Sequence, residues 1–452
     1  MDAEDLDYRE RTRAGGWIPP ELVSRLVELG HVGEVELQAR GGDWSCVREW
    51  VRILDGQDRR DEALEMLAPY VATGWWQAAE TVAGLLERRG RAEEAVALAR
   101  PYAEAGDRSA LQYFARLLAR HGRGEEAFDL LRPHLEDWFL ATALVDVAAD
   151  ADRDEEAAAL LAARIETPRR CGNPCDCRNI EPSNAVGLLA GIRERQGRVD
   201  EAIALLHTRE ITSVNNRDQL ADLLARHNRL EELRQYAATE HLGHAVRRLA
   251  ELLEDRGDLN GAIEVYRQHA DDSSTCPVSS AVQLALLLGR HGRGTEAIDV
   301  MLALADGPVG ADDWIVDMLC GLYADHGRAE DGLAYLDGLK ARRGAEDWEY
   351  FRCRLPLLTA LGRREQAIEE ARAHPEANTW YAAWSVAKLL ADAGRAEEAV
   401  ALLEEHPSAN RNALAAQLVE LGRIKDAVAV LHRPEPAVSF SSHGSWTDCP
   451  PF

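Results

Sequence analysis

The stretch Gly90-Arg91-Ala92-Glu93-Glu94-Ala95-Val96-Ala97-Leu98 limits what this chain can fold into more than any other feature, because the same phrase returns along most of its length. It reads as a helix ending at a glycine, an arginine turn, and a second helix opening on two glutamates. Glycine suits the left-handed residue that closes a helix, since it has no Cβ to clash there. Glu93 and Glu94 fall in the first turn of the next helix, where the helix dipole favours negative charge. Ala95 is the small residue expected where two helices approach closely. One such pair cannot bury its own apolar stripe, so it must stack on copies of itself.

Aligning the copies on the residue equivalent to Gly90 gives the anchors Gly30, Asp58, Gly90, Gly122, Asp152, Gly197, Asn228, Gly257, Gly292, Gly327, Gly362, Gly394 and Gly422. Neighbouring anchors lie 28, 32, 32, 30, 45, 31, 29, 35, 35, 35, 32 and 28 residues apart. All but the fifth spacing have the length of a helix–turn–helix repeat. Five residues after the anchor stands alanine, except at Val35, Leu233 and Gly332. Arginine follows the anchor directly, except at His31 and Asp258.

This register resembles the tetratricopeptide repeat family over roughly residues 20 to 433. The family has a small residue seven before the turn glycine, here Ala83, Ala115, Ala190, Ala221, Ala250, Ala285, Ala387 and Ala415. It has a large apolar residue nine after it, here Leu67, Leu131, Leu161, Leu206, Tyr266, Met301, Leu336, Leu403 and Leu431. The resemblance implies an all-α fold, a right-handed α-solenoid or superhelix of about 12–13 antiparallel repeats. Two departures stand out. The family's proline near the repeat end is displaced, as in Pro69, Pro101 and Pro133, which predicts short second helices. Tryptophan also opens many first helices rather than lying further in.

Apolar residues keep helical spacing throughout, and nothing reads as strand. The net charge of −26, from 78 acidic against 52 basic residues, argues against a nucleic-acid or anionic-membrane surface, since phosphate binding needs clustered positive charge. Spacings of 35 also occur in the pentatricopeptide class, whose members read single-stranded RNA, but such a surface should be basic. No run of about 18 apolar residues suggests a membrane span, and no targeting segment is visible. The scattered cysteines do not form a disulfide framework, so a cytoplasmic setting is the expectation.

Residues 1–16 read as a disordered acidic leader, 17–433 as the repeat array, and 434–452 as a flexible tail rich in proline and serine. Trp446 and Phe452 in that tail suggest a short docking peptide for the protein's own groove or for a neighbour. Trp44, Trp75, Trp76, Trp138, Trp314, Trp348 and Trp380 all open first helices, about fourteen residues before an anchor. An aromatic at one repeated position is either a packing plug between repeats or a row that holds peptide side chains. The long spacing marks an insertion, about 166–182, holding Cys171, Cys175 and Cys177. Three thiolates there could surround one Zn²⁺, although the spacing is not a familiar zinc pattern; an exposed loop and a reversible disulfide are the other readings. Otherwise no cofactor is expected.

No phosphate loop, nucleophile elbow, dinucleotide fingerprint or H-E-x-x-H occurs. His121, His227, His291 and His326 precede anchors, where a helix C-terminus favours positive charge. Carboxylate pairs such as Glu125 and Glu126 recur in eight of the thirteen repeats, which marks them as helix-start residues. Binding is the function left. In the resembled family the concave face is lined by first helices, thirteen, ten, six, three and two residues before the turn glycine. Carried over by position, that face holds Gln77, Glu80, Arg88, Gln112, Arg116, Arg120, Asn184, Asn215, Asp218, Asp222, His244, Arg247, Trp314, Asp317, Tyr381, Trp384 and Lys388. Asn184 and Asn215 share one repeat position, so both amides could bond an extended peptide backbone. The expectation is a non-catalytic scaffold for a protein or peptide partner with basic segments. The alternative is a sensor whose Cys171–Cys177 loop answers to zinc or redox state.

Overall fold

A computed structural model describes residues 2–12, 17–166, 181–209, 213–214, 217–271, 277–307, 310–344 and 347–433. They form helical hairpins in two compact units. Residues 74–361 make one, and residues 1–73 with 362–452 make the other.

The first of these units runs through hairpins such as Trp76–Arg88 with Ala92–Glu104 and Arg108–Arg120 with Gly124–Leu131, and it ends at Arg354–Ala360. Helices adjacent in the chain pack on one another up to Ala329–Arg343, which packs on Arg354–Ala360. The second unit holds Pro20–Glu28 with Val32–Arg40, Trp44–Gly56 with Arg60–Val71, Trp380–Asp392 with Ala396–Leu403, and Arg411–Glu420 with Ile424–Leu431.

The register read from the sequence is the register of the backbone. All thirteen anchors have positive φ, from +53° at Asp152 to +83° at Gly30. The three non-glycine anchors, Asp58, Asp152 and Asn228, are also the three non-glycine residues with positive φ among the described residues. At Gly90 the closing hydrogen bonds run from its own N–H to the Glu87 carbonyl (2.9 Å) and from the Arg91 N–H to the Leu86 carbonyl (3.0 Å). The two bonds satisfy carbonyls that the helix end would leave open.

Packing follows the same frame. The alanine five after the anchor is buried in every copy that has it, with Ala95, Ala127, Ala157 and Ala297 all at 0% exposure. Alanines seven before the anchor and large residues nine after it are buried too, among them Ala83, Ala115, Leu131 and Met301. Gly332 replaces the usual alanine because a Cβ there would lie 2.9 Å from Leu357 Cδ2 and 3.0 Å from Tyr323 Cβ. Each buried leucine or phenylalanine contributes about 1.5–3 kcal/mol, and within residues 74–361 one core cluster runs across successive hairpins from Trp76 to Ile192.

Three expectations need correction. The leader is not unstructured: Ala3–Thr12 is a helix and buries Leu6, an apolar residue that can leave water by packing on its neighbours. Second helices are not cut short by Pro69 and Pro101, which lie inside Arg60–Val71 and Ala92–Glu104 close to their ends, where few turns remain to be broken. Pro133 does end an α-helix, in the 3-10 turn Arg132–His134. Finally, Ser213–Val214 pairs antiparallel with Arg217–Asp218, a minimal hairpin between two helices that periodicity could not register. The tail at 434–452 and the insertion at 167–180 lie outside the described residues. Among the described residues no helix is long and apolar enough to cross a membrane.

Candidate interaction surface

The arginine that follows most anchors has a job the sequence did not disclose. Arg91 grips Glu94 in a two-pronged bond, Nε to Oε1 and Nη2 to Oε2 at 2.6 Å each. The same fork joins Arg59 to Glu62, Arg198 to Glu201, Arg293 to Glu296 and Arg395 to Glu398. Several of these arginines also reach back one repeat, Arg198 to Glu155 at 3.1 Å and Arg395 to Glu365 at 2.7 Å. Second-helix arginines reach forward, Arg100 to Glu126 at 3.4 Å and Arg372 to Glu398 at 3.3 Å. The Arg395 and Arg372 guanidiniums together hold the Glu398 carboxyl down at about 2. The paired helix-start carboxylates therefore serve an ion-pair ladder along the second-helix edge. Its members are open to solvent, which screens them, so each link by itself is weak.

A second ladder ties first helices together. Glu87 takes Arg120 (2.8 Å) and His121 (3.0 Å); Glu194 takes Arg226 (2.9 Å) and His227 (2.9 Å); Glu254 takes Arg290 (3.0 Å) and His291 (2.7 Å). These histidines thus meet a carboxylate on the preceding repeat as well as a helix end. Arg120 belongs to this ladder, and its charge helps hold Glu87 below the usual carboxylate range.

Many of the residues carried over to the concave face are engaged in the same way. Arg116 bonds Asp146 at 2.6 Å, Asp222 meets Arg248 at 3.1 Å, and Asp317 takes Arg352 at 2.8 Å. Arg247 lies 4.0 Å from Glu251. Asp218 does not belong on a docking face. It is 3% exposed, caps its helix by accepting from the Leu220 and Ala221 N–H groups, and accepts the Tyr236 hydroxyl at 2.7 Å. Gln77, Glu80, Gln112, Asn184 and His244 are half-buried, and Arg88 is exposed. Asn215 lies outside the described residues, as do Cys171, Cys175 and Cys177.

The tryptophans divide. Trp44, Trp75, Trp76 and Trp348 are buried. Trp44 rests on Tyr70, with ring centroids 5.2 Å apart, and Trp76 on Tyr102 and Tyr113 at 5.4 and 5.5 Å. These are plugs. Trp138, Trp314 and Trp380 hold nearly the same offset yet are 40%, 41% and 53% exposed. The sequence carries a signal that would have separated most of them: a tyrosine twelve after the anchor, Tyr70 or Tyr102, accompanies the plugs, whereas Arg164, Leu339 and His406 stand there in repeats with exposed indoles. Trp348 is the exception, packing on Phe351 instead.

Helix Trp380–Asp392 presents the most open of these faces. Trp380, Trp384 and Lys388 follow at four-residue intervals, so they line one stripe; Trp384 is 52% exposed and Lys388 is exposed. Tyr381 lies beside the stripe and donates its hydroxyl to Glu376 at 2.5 Å.

Fold and surface together define an α-helical repeat protein with a tetratricopeptide-like register. No family model and no curated protein matches the sequence. Solved structures do resemble it. A tetratricopeptide repeat protein from Parabacteroides merdae is 15% identical, matched over 65% of this chain and 98% of its own, with a TM-score of 0.28. A structure of Naa15/Naa10 bound to HypK-THB shares 13% identity over 91% of this chain and 74% of that one, at a TM-score of 0.40. The maize pentatricopeptide repeat protein PPR10 is 17% identical, over 95% of this chain and 63% of its own, at 0.36. The class rests on the thirteen-fold register of the backbone itself.

Proposed function

We propose that this protein is a non-catalytic interaction scaffold that binds a protein or peptide partner on the exposed faces of its first helices. The observation that carries the reading is the pair Trp380 and Trp384. Both indoles stand about half exposed on one stripe of helix Trp380–Asp392. Large, stiff aromatic side chains lose little entropy on binding and commonly anchor interfaces. Against an enzyme reading stands the use of the recurring carboxylates: they are held by arginine forks and not presented in acid–base pairs. The net charge of −26 would speed the approach of a partner with basic segments.

The test is selection of binding peptides on the full chain, followed by calorimetry. Trp380→Ala with Trp384→Ala should weaken the selected peptides at least ten-fold, about 1.4 kcal/mol. Equal affinity in the double variant would remove this face as the docking surface. Affinity falling with added salt supports steering by the acidic surface.

A further inference from the structure

The exposed stripe on helix Trp380–Asp392 combines two unlike features. Trp380 and Trp384 offer indole faces, and Lys388 offers a cation with no carboxylate within 4.0 Å among the described residues. Nearby cations are differently placed: Arg395 and Arg372 are committed to Glu365 and Glu398. In a chain of net charge −26, an uncommitted lysine beside two open indoles selects an extended ligand with apolar rings and one carboxylate. Proline rings stack well on tryptophan, and an extended proline-rich segment is already partly ordered.

Such a segment belongs to the same chain. Beyond Arg433 the sequence continues through Asp448-Cys449-Pro450-Pro451-Phe452. We propose that this segment docks on the stripe of its own molecule, with Asp448 against Lys388, Pro450 over Trp384 and Phe452 against Trp380. The spacings agree. Residues four apart on a helix rise by about 6 Å, so Trp380 and Lys388 are about 12 Å apart along the axis. Two and four residues of extended chain span about 7 and 13 Å. The tether also agrees. Arg433 closes the last hairpin of the same compact unit as the stripe, and the fifteen residues from 434 to 448 can reach about 50 Å. An attached ligand has a high effective concentration, so even weak contacts keep it seated. The inference rests on the reading of this stripe as an interaction surface and names what occupies it before a partner arrives: a partner must displace the tail.

Hydroxyl-radical footprinting of the full chain, read by mass spectrometry at Trp380 and Trp384, tests this. Replacing Pro450, Pro451 and Phe452 by serine should raise the oxidation of both tryptophans several-fold. Asp448→Lys should do the same, and combining it with Lys388→Asp should restore protection, which a merely unfolded variant would not do. Equal oxidation in the wild type and the triple-serine variant overturns the proposal. So does protection that grows with protein concentration, which would place the tail of a second copy on the stripe. Either result leaves the scaffold reading to its own peptide-binding test, because that test adds the ligand from outside.

Discussion

Two glycines two residues apart should respond to the same substitution for opposite physical reasons. Gly122 is an anchor with φ +76°, and a Cβ added there would meet nothing within 4 Å. Gly122→Ala is therefore a backbone cost alone: about 1–2 kcal/mol for a left-handed alanine, reduced by about 0.4–1 kcal/mol because alanine restricts the unfolded chain. The net is a loss of about 1 kcal/mol. Gly124 opens the next helix, where alanine would ordinarily be favoured by about 1 kcal/mol. Its Cβ, however, would lie 2.7 Å from the Asp150 carbonyl oxygen and 2.9 Å from the Ala151 nitrogen. Those are backbone atoms of the next repeat and cannot rotate aside, so the hairpins must separate. Overpacking costs about 1–3 kcal/mol, and the upper end applies where no side chain can yield; about 3 less the helix preference of about 1 leaves Gly124→Ala a loss of about 2 kcal/mol. Urea unfolding followed by circular dichroism gives the ranking, and hydrogen exchange in Gly124–Leu131 and Trp138–Asp150 locates it, since repeat arrays can unfold in parts. If Gly124→Ala proves no more destabilising than Gly122→Ala, the close approach of these two hairpins is wrong.

Other consequences are as direct. Asp152→Gly relieves a left-handed non-glycine residue at φ +53° and should stabilise by about 0.5–1 kcal/mol in the same urea assay. Ala95→Leu at a fully buried position should cost about 1–3 kcal/mol. Trp44→Ala should cost about 3–5 kcal/mol, whereas Trp380→Ala should leave the urea midpoint nearly unchanged; equal losses would refute the division into plugs and open indoles. Glu398 titrates at about 2, held there first by Arg395 and then by Arg372. Its folded value is depressed, so its contribution is whole above the ordinary carboxylate range near 4.5 and fades as pH falls from there toward 2. Arg395→Gln should move the Glu398 carboxyl titration upward by NMR, and no movement would deny the fork.

Much of the architecture could be read from residue order, because a left-handed helix end is a local demand that one residue type meets. Gly90, and Asn228 in its place, announced the turns before any packing was considered. Ala95 and Leu131 announced the core because their spacing repeats. The ladders were hidden for the opposite reason. Arg198 meets Glu155 across 43 positions in the chain, a separation fixed by how hairpins stack and by the insertion between them. The candidate surface was carried over by position alone, and availability is not written in position. Arg116 and Asp317 each already hold a partner from the adjoining repeat. Asp218 failed because a short hairpin precedes its helix and turns it into a cap.

Arg25 and Glu420 lie 395 positions apart in the chain, yet within their shared unit they are joined by two bonds of 2.6 and 3.0 Å. The pair ties the hairpin that begins at Pro20 to the one that begins at Arg411. Because that tie is a water-facing ion pair, dissolved electrolyte can slacken it. The cohesion of these two hairpins should then follow ionic strength even where the buried core does not.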